Sequence, residues 1–434
     1  MFSDNNREIL FMNEKMNFTS ENQMLISFLC ILANLIIYCS NPYITPFLCS
    51  KYLVVIILGL IVLFYFTLRY VGKIEKDAWS KVIFFCMSIV VIHGCLTFIL
   101  FCNEDGIDGL KRIGGMVPKY AFLLPICILL KKKYNFFLNF FWCSNILIIC
   151  LSILLFGLFL AGIHLPSIEF SPDGRPHYFF YIGATNMFVH FGDIYFIRIA
   201  GFCDEPGQLA LIITYLLVLN EFTYKKNANR IFLSVAAFFT FSAAFFITYP
   251  IIVLYWLRIG VLKIGKKIIY GICLLYFLSF VYTKVDVDFQ NKVEEAIEIL
   301  IFNRFEKERD GKFHGDNRSK SIPFQIKAFI SSPLIGIYGK DNKVVDKIGD
   351  PTIFAQLAYY GLCGVLFYAP FVYLFVKYAR RGESLLFVAI GLNFLQRPSL
   401  DYMFYLVVLT LIFYHKHYQC QLRNKFIKLR NDGE

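Results

Sequence analysis

Apolar runs close to the ~20 residues that a bilayer core demands recur along this chain from Met24 almost to His415. That repetition constrains the fold more than any other feature. A segment inside hydrocarbon has no water to satisfy its backbone, so a chain that returns there many times does so as helices. The expected fold class is therefore all-α, a polytopic integral membrane protein forming one membrane domain over residues 1–434. Composition agrees, with 58% hydrophobic residues, 17% charged residues, 49 Phe and 27 Tyr. The first run follows some twenty polar residues without a small-residue cleavage pattern and reads as a retained span. Most of the 13 cysteines, such as Cys30, Cys86, Cys95, Cys150 and Cys273, lie in apolar runs as small hydrophobes. They form neither a disulfide framework nor a CxxC pattern.

The placement of the +12 net charge gives the topology, because short cytoplasmic loops carry an excess of Lys and Arg. Basic clusters follow the second run (Arg69, Lys73, Lys76, Lys81), the fourth (Lys131, Lys132, Lys133), the sixth (Lys225, Lys226, Arg230) and the run ending near Val376 (Lys377, Arg380, Arg381). The tail adds Lys416, Arg423, Lys425, Lys428 and Arg430. Alternate connectors are poorer in base, as in Asn103 to Arg112 with Glu104, Asp105 and Asp108. Ile231 to Leu257 has basic groups at both ends, so a single crossing would put one cluster outside. Two short helices turning near Ser242 restore the alternation.

The count then predicts about twelve crossings with both termini in the cytoplasm. The runs are roughly 24–39, 53–68, 82–101, 117–130, 137–162, 207–220, 231–242, 243–258, 267–283, 353–376, 384–396 and 401–415. Two large outward-facing loops remain, 163–206 and 284–350. The first is rich in aromatic and turn residues. The second holds 12 basic and 12 acidic residues, with Val293, Ile297, Leu300 and Ile301 at helical spacing against Glu294, Glu295 and Glu298. That spacing suggests an amphipathic surface helix, with a solvated cap as the alternative.

The stretch RIAGFCDEPGQLALI, residues 198 to 212, ends the first loop and opens the sixth run. Pro206 suits a first helical position, and Asp204 and Glu205 suit acidic caps for its exposed N–H groups. Capping leaves Arg198 unexplained. It is close enough in sequence to pair with either carboxylate or to meet an anionic ligand, and a guanidinium suits phosphate oxygens. A second candidate is DNRSKSIPFQIKAFISSPLIGIYGKDN, residues 316 to 342. There Arg318 precedes a helix that ends in a turn where Gly336 and Gly339 permit close backbone approach. Arg318, Lys320, Lys327 and Lys340 form either a second positive rim or contacts to lipid headgroups.

Within the spans, His93 is a buried ionisable group with no partner visible in the sequence, and a neutral ring bonded to a neighbouring helix is the expected reading. Arg397 and Asp401 flank an outward turn and are expected to pair. His164, His177, His190 and His314 lack zinc-ligand spacing, so neither a metal nor a cofactor is expected.

Three of these stretches resemble the O-antigen polymerase (Wzy-type) family and the related O-antigen ligases. Arg198, Gly201, Phe202, Glu205, Pro206 and Gly207 resemble its Arg-xx-Gly-Phe-xx-Glu-Pro-Gly pattern before a membrane helix. Arg318 followed by SSPLIGIYG resembles the arginine, helix and Pro-x-x-Gly ending of its large outer loop. DPTIFAQLAYYGLCGVLFY, residues 350 to 368, resembles the next helix with its mid-helix glycine, here Gly361. The ligase branch carries a histidine on entering that helix, where this chain has Gly349, Asp350 and Pro351.

The resemblance implies a metal-independent glycosyltransferase at the periplasmic face of a bacterial inner membrane, joining oligosaccharide repeat units carried on undecaprenyl diphosphate. Arg198, Arg318 and Lys340 would then meet the diphosphate, and Glu205, or else Asp204, would act as base. Tyr178, Phe179, Phe180 and Tyr181 would stack on sugars or form an interfacial belt. Partners would be membrane lipids and a chain-length regulator protein, with no nucleic acid. The alternatives are a ligase transferring glycan to lipid A core and, from another class, a repeat-unit flippase. The nearly charge-free spans and the absence of repeated halves argue against the flippase.

Overall fold

The computed structural model describes residues 20–40, 43, 45, 52–100, 107–163, 165–170, 177–191, 194–260, 321–337, 353–396, 402–415 and 418. The predicted span 267–283, the amphipathic stretch near 293–301, Arg318, Lys320, Lys340, Arg397, Asp401, His164, His314 and both termini lie outside the described residues.

Helices dominate. α1 is Ser20–Tyr38 and α2 is Tyr52–Phe66, continuing as a π-helical turn over Thr67–Val71. α3 is Ala78–Leu100, α4 is Ile107–Ala121 and α5 is Leu123–Leu160. The helix boundaries around the fourth run differ from expectation, since α4 begins inside the predicted outward connector. α5 joins the fourth and fifth runs across a break at Lys133 (φ −137°, ψ 54°), so the predicted basic connector survives as a kink. Segments 54–71, 78–100 and 113–159 are long and apolar enough to cross a membrane.

The segment predicted as the first outer loop corrects the all-α expectation. It contains a four-stranded antiparallel meander: β1 Ile168–Phe170, β2 His177–Phe179, β3 Ala184–Phe191 and β4 Ile194–Gly201, in that order. Register pairs Glu169 with Tyr178, Tyr178 with Thr185 and Asn186 with Arg198. The aromatic and β-branched residues read as loop material are those that favour a pleated surface. Phe170, Ala184 and Ala200 form its small core, against which Phe179 and Phe202 pack.

α6, Pro206–Phe222, is buried along all 17 residues, so it runs about 25 Å through the centre of the bundle. α7 is Asn227–Phe238 and α8 is Ala243–Arg258. The two form the predicted hairpin, turned by Phe241 at φ 45° with Ser242 as the N-cap of α8. α9, Ile322–Ser331, falls within the predicted second outer loop. The tenth run is three helices instead of one: α10 Ile353–Tyr360, α11 Cys363–Leu366 and α12 Ala369–Tyr378. Gly361, at φ 59°, ends the first of them. α13 is Ser384–Gln396, and α14 is Met403–His415.

Contacts bring several of the basic connectors together. Lys131 Nζ lies 2.8 Å from both Glu75 and Asp77. Lys133 donates to the Gln23 carbonyl at 2.9 Å and to Ser27 at 2.8 Å. Tyr414 donates to Asp77 at 2.6 Å, and Lys377 Nζ sits 4.2 Å from the Phe413 ring centroid. The basic connectors thus converge at one end of the bundle. Burial raises the Asp77 carboxyl, but the Lys131 ammonium, the Ser80 N–H and the Tyr414 hydroxyl outweigh that and hold it below its ordinary range.

Candidate functional site

At the opposite end, β4 delivers the chain to the mouth of α6. Gly201 is required there, because at φ 65° a side chain is strained, and a Cβ would lie 3.1 Å from Leu209 and 3.3 Å from Ile148. Phe202 packs edge-on against Phe179 at 6.0 Å, and Cys203 forms an antiparallel bridge with buried Tyr43. Glu205 is the N-cap of α6 in extended conformation (φ −151°, ψ 156°), followed by Pro206. Its carbonyl accepts from Gln208 N–H at 3.0 Å, but its carboxylate makes no capping hydrogen bond. The expectation that the acidic side chain caps this helix is corrected: proline and the backbone start it. Asp204 and Glu205 are both half-buried.

Arg198, also half-buried, has a structural role that the sequence did not reveal. Its Nε donates to the Thr240 carbonyl at 2.9 Å and its Nη2 to the Phe241 carbonyl at 3.2 Å. Ile199 N–H reaches the Phe239 carbonyl at 3.4 Å. β4 therefore engages three successive carbonyls just past the C-terminal end of α7, where a helix leaves acceptors unpaired and a cation is favoured. Both of these Arg198 hydrogen bonds are to main-chain oxygens, a role added to the carboxylate or anionic ligand that the sequence suggests.

Two further residues complete the mouth. Tyr405 of α14 donates to Gln208 at 3.0 Å, and its ring stacks on Tyr215 with centroids 4.6 Å apart. Both tyrosines read in the sequence as ordinary members of apolar runs. Burial, with Tyr38 and Cys203 nearby, pushes the Tyr43 phenol well up, so it stays protonated. Tyr181, at φ 62° and 58% exposed, projects from the β2–β3 turn, and its ring centroid is 5.6 Å from that of Phe179.

No family model matches this chain. A search of curated proteins likewise finds no relative. The site therefore stands on its own geometry.

The second and third predicted stretches meet each other. After α9 the chain turns through Gly336 at φ 80°, where a Cβ would fall 2.2 Å from the Tyr359 carbonyl oxygen. A Cβ on Gly361 would fall 2.4 Å from the Leu334 carbonyl carbon. Ile337 N–H bonds Ala358 O at 2.9 Å, and Leu362 N–H bonds Pro333 O at 2.8 Å. The two backbones interlock where only glycine fits. Lys327, on α9, is exposed. An apolar groove of about 270 Å³ lies between α10 to α12 and α13, lined by Leu357, Val365, Phe371 and Phe394 among others, and none of the described site residues, Arg198, Asp204 and Glu205, borders it. Among the described residues, no group of three His, Cys, Asp or Glu is placed to hold a metal ion.

Proposed function

We propose that this protein is a surface-polysaccharide polymerase of the O-antigen polymerase type, working at the periplasmic face of a bacterial inner membrane with both termini cytoplasmic. The observation that carries the reading is the mouth of α6: Arg198, Asp204 and Glu205 all lie close to the entry of a wholly buried helix, at the end of the bundle away from the basic connectors. The interlock of Gly336 with Gly361 supports it, since it joins the other two stretches that resemble the family.

In the proposed reaction, a sugar hydroxyl of the incoming repeat unit attacks the anomeric carbon of the growing glycan. The bond from that carbon to the undecaprenyl diphosphate oxygen breaks, and the diphosphate leaves with the bonding electrons. Glu205 takes the hydroxyl proton, with Asp204 as the other carboxylate at the mouth. Positive charge fixed at headgroup depth stabilises the leaving diphosphate, with Arg198 as the described cation and Arg318 and Lys340 supplied by the second outer loop. The partners are the undecaprenyl-linked oligosaccharide, membrane lipids and a chain-length regulator.

A glycan ladder from a deletion strain tests the reading. Loss of the polymerase leaves lipid A core bearing a single repeat, whereas loss of a ligase leaves none attached and loss of a flippase strands repeats on the inner leaflet. A full ladder from the deletion strain would refute it. Glu205→Gln is the cleanest variant, because that side chain makes no capping bond. It should stop chain growth while the protein stays in the membrane at its normal level.

A further inference from the structure

His93 lies on α3 and is 1% exposed, yet it touches three places on the late part of the chain. Its Nε2 is 2.8 Å from the carbonyl oxygen of Ile335, 242 positions away in sequence. Its ring meets Tyr360 edge-on at 5.9 Å and Phe367 edge-on at 6.4 Å. Ile335 sits between Leu334 and Gly336, inside the glycine interlock, and Tyr360 immediately precedes Gly361. A carbonyl only accepts, so Nε2 carries the ring proton and the neutral ring is the Nε2–H tautomer.

We propose that His93 is a positioning residue that seats the second outer loop on the helix bundle. Its Nε2–H holds the Ile335 carbonyl, which fixes the 333–337 turn against the 358–363 backbone and so sets where α9 returns to the membrane helices. A main-chain carbonyl in an apolar layer needs a donor: the Leu362 and Cys363 N–H groups serve the Pro333 and Leu334 carbonyls, and His93 serves that of Ile335. An aliphatic or phenyl side chain offers no N–H, whereas glutamine presents an amide donor at similar reach. The consequence for activity, and only that, rests on the reading that the outer loop brings a cation to the diphosphate.

The test has a structural readout independent of activity. Cys363 N–H bonds the Leu334 carbonyl at 3.4 Å, which places this half-buried cysteine within the interlock. Alkylation of Cys363 in native membranes, quantified on its peptide by mass spectrometry, should quicken at least about tenfold in His93→Phe and stay near wild type in His93→Gln. Equal rates in both variants and wild type would overturn the proposal. Should His93→Phe fail to accumulate, nitrogen-15 spectra of histidine-labelled wild-type protein decide the matter, with His93→Gln used for assignment. A protonated Nε2 and bare Nδ1 on His93 support the proposal, and the opposite tautomer refutes it. If Cys363 responds as expected while His93→Phe keeps a full glycan ladder, the positioning role stands and the functional reading of the loop falls.

Discussion

Arg230 grips Glu221 through two nitrogens, Nε at 2.7 Å from Oε1 and Nη2 at 2.6 Å from Oε2, inside the bundle where the residues are 7% and 2% exposed. The pair closes the α6–α7 turn together with Asn220, Asn227 and Asn229, and Trp256 lies 6.0 Å from the guanidinium. A buried pair of this kind gains little over a hydrophobic replacement, but removing one partner strands a charge. Glu221→Leu alone, or Arg230→Met alone, should therefore cost about 3–5 kcal/mol, and the double variant should recover most of it. Melting of the detergent-solubilised protein measures this, and single variants that melt with wild type would show the pair to be inert.

The interlock predicts a sharp contrast among glycines. Gly336→Ala and Gly361→Ala each place a Cβ on backbone atoms 2.2 to 2.6 Å away at positive φ, so neither neighbour can give way. Both should fall well below wild-type levels in the membrane. Gly157→Ala meets nothing within 4 Å inside α5 and should be neutral or stabilise by about 0.5–1 kcal/mol. Expression levels and melting of the three variants settle the comparison.

Asp77 gives a pH signature. Its folded-state carboxyl is held below the ordinary range, so its contribution is present above the unfolded value and is lost as pH falls through the folded one. Wild type should melt higher than Asp77→Asn at neutral pH. The gap should narrow on acidification through and below about pH 4, the ordinary aspartate range. A gap that widens on acidification would reverse the assigned sign.

Arg198→Ala should loosen one end of the α7–α8 hairpin while leaving the other held. Two hydrogen bonds from a charged donor to Thr240 and Phe241 are lost, a loss of about 1.5–3 kcal/mol each before relaxation. Amide hydrogen exchange should rise over 239–243 and stay unchanged over 227–232, where Arg230 remains bonded to Glu221. Uniform protection across the hairpin would deny the guanidinium its anchoring role.

The helical frame was legible in the sequence because hydrocarbon leaves a chain few options. α1, α2, α3, α6 and α13 fall close to their predicted runs, and the Ser242 turn lies where charge balance required it. The meander escaped because period-2 patterning is short and aromatic-rich there, and resembles an interfacial belt. The sequence presents Gly361 only as the mid-helix glycine of the family resemblance, since nothing local discloses that another backbone crosses it. At the site, Arg198, Glu205 and Pro206 stood out by residue type, but the hydrogen bonds of Arg198 to Thr240 and Phe241 go to carbonyls, which every residue carries and no sequence pattern marks. His93 stood out as a buried ionisable group, but its partner escaped for the same reason, the acceptor being the main chain of Ile335.

That chemistry has an evolutionary corollary. Any amino acid at 240, 241 or 335 offers the same acceptor oxygen, so these contacts make no demand on the side chains there, whereas positions 198 and 93 must keep an N–H donor. Among divergent relatives, the two positions would then keep N–H donors yet show no correlated substitution with the residues they hold. Methods that infer contacts from paired change would pass over both.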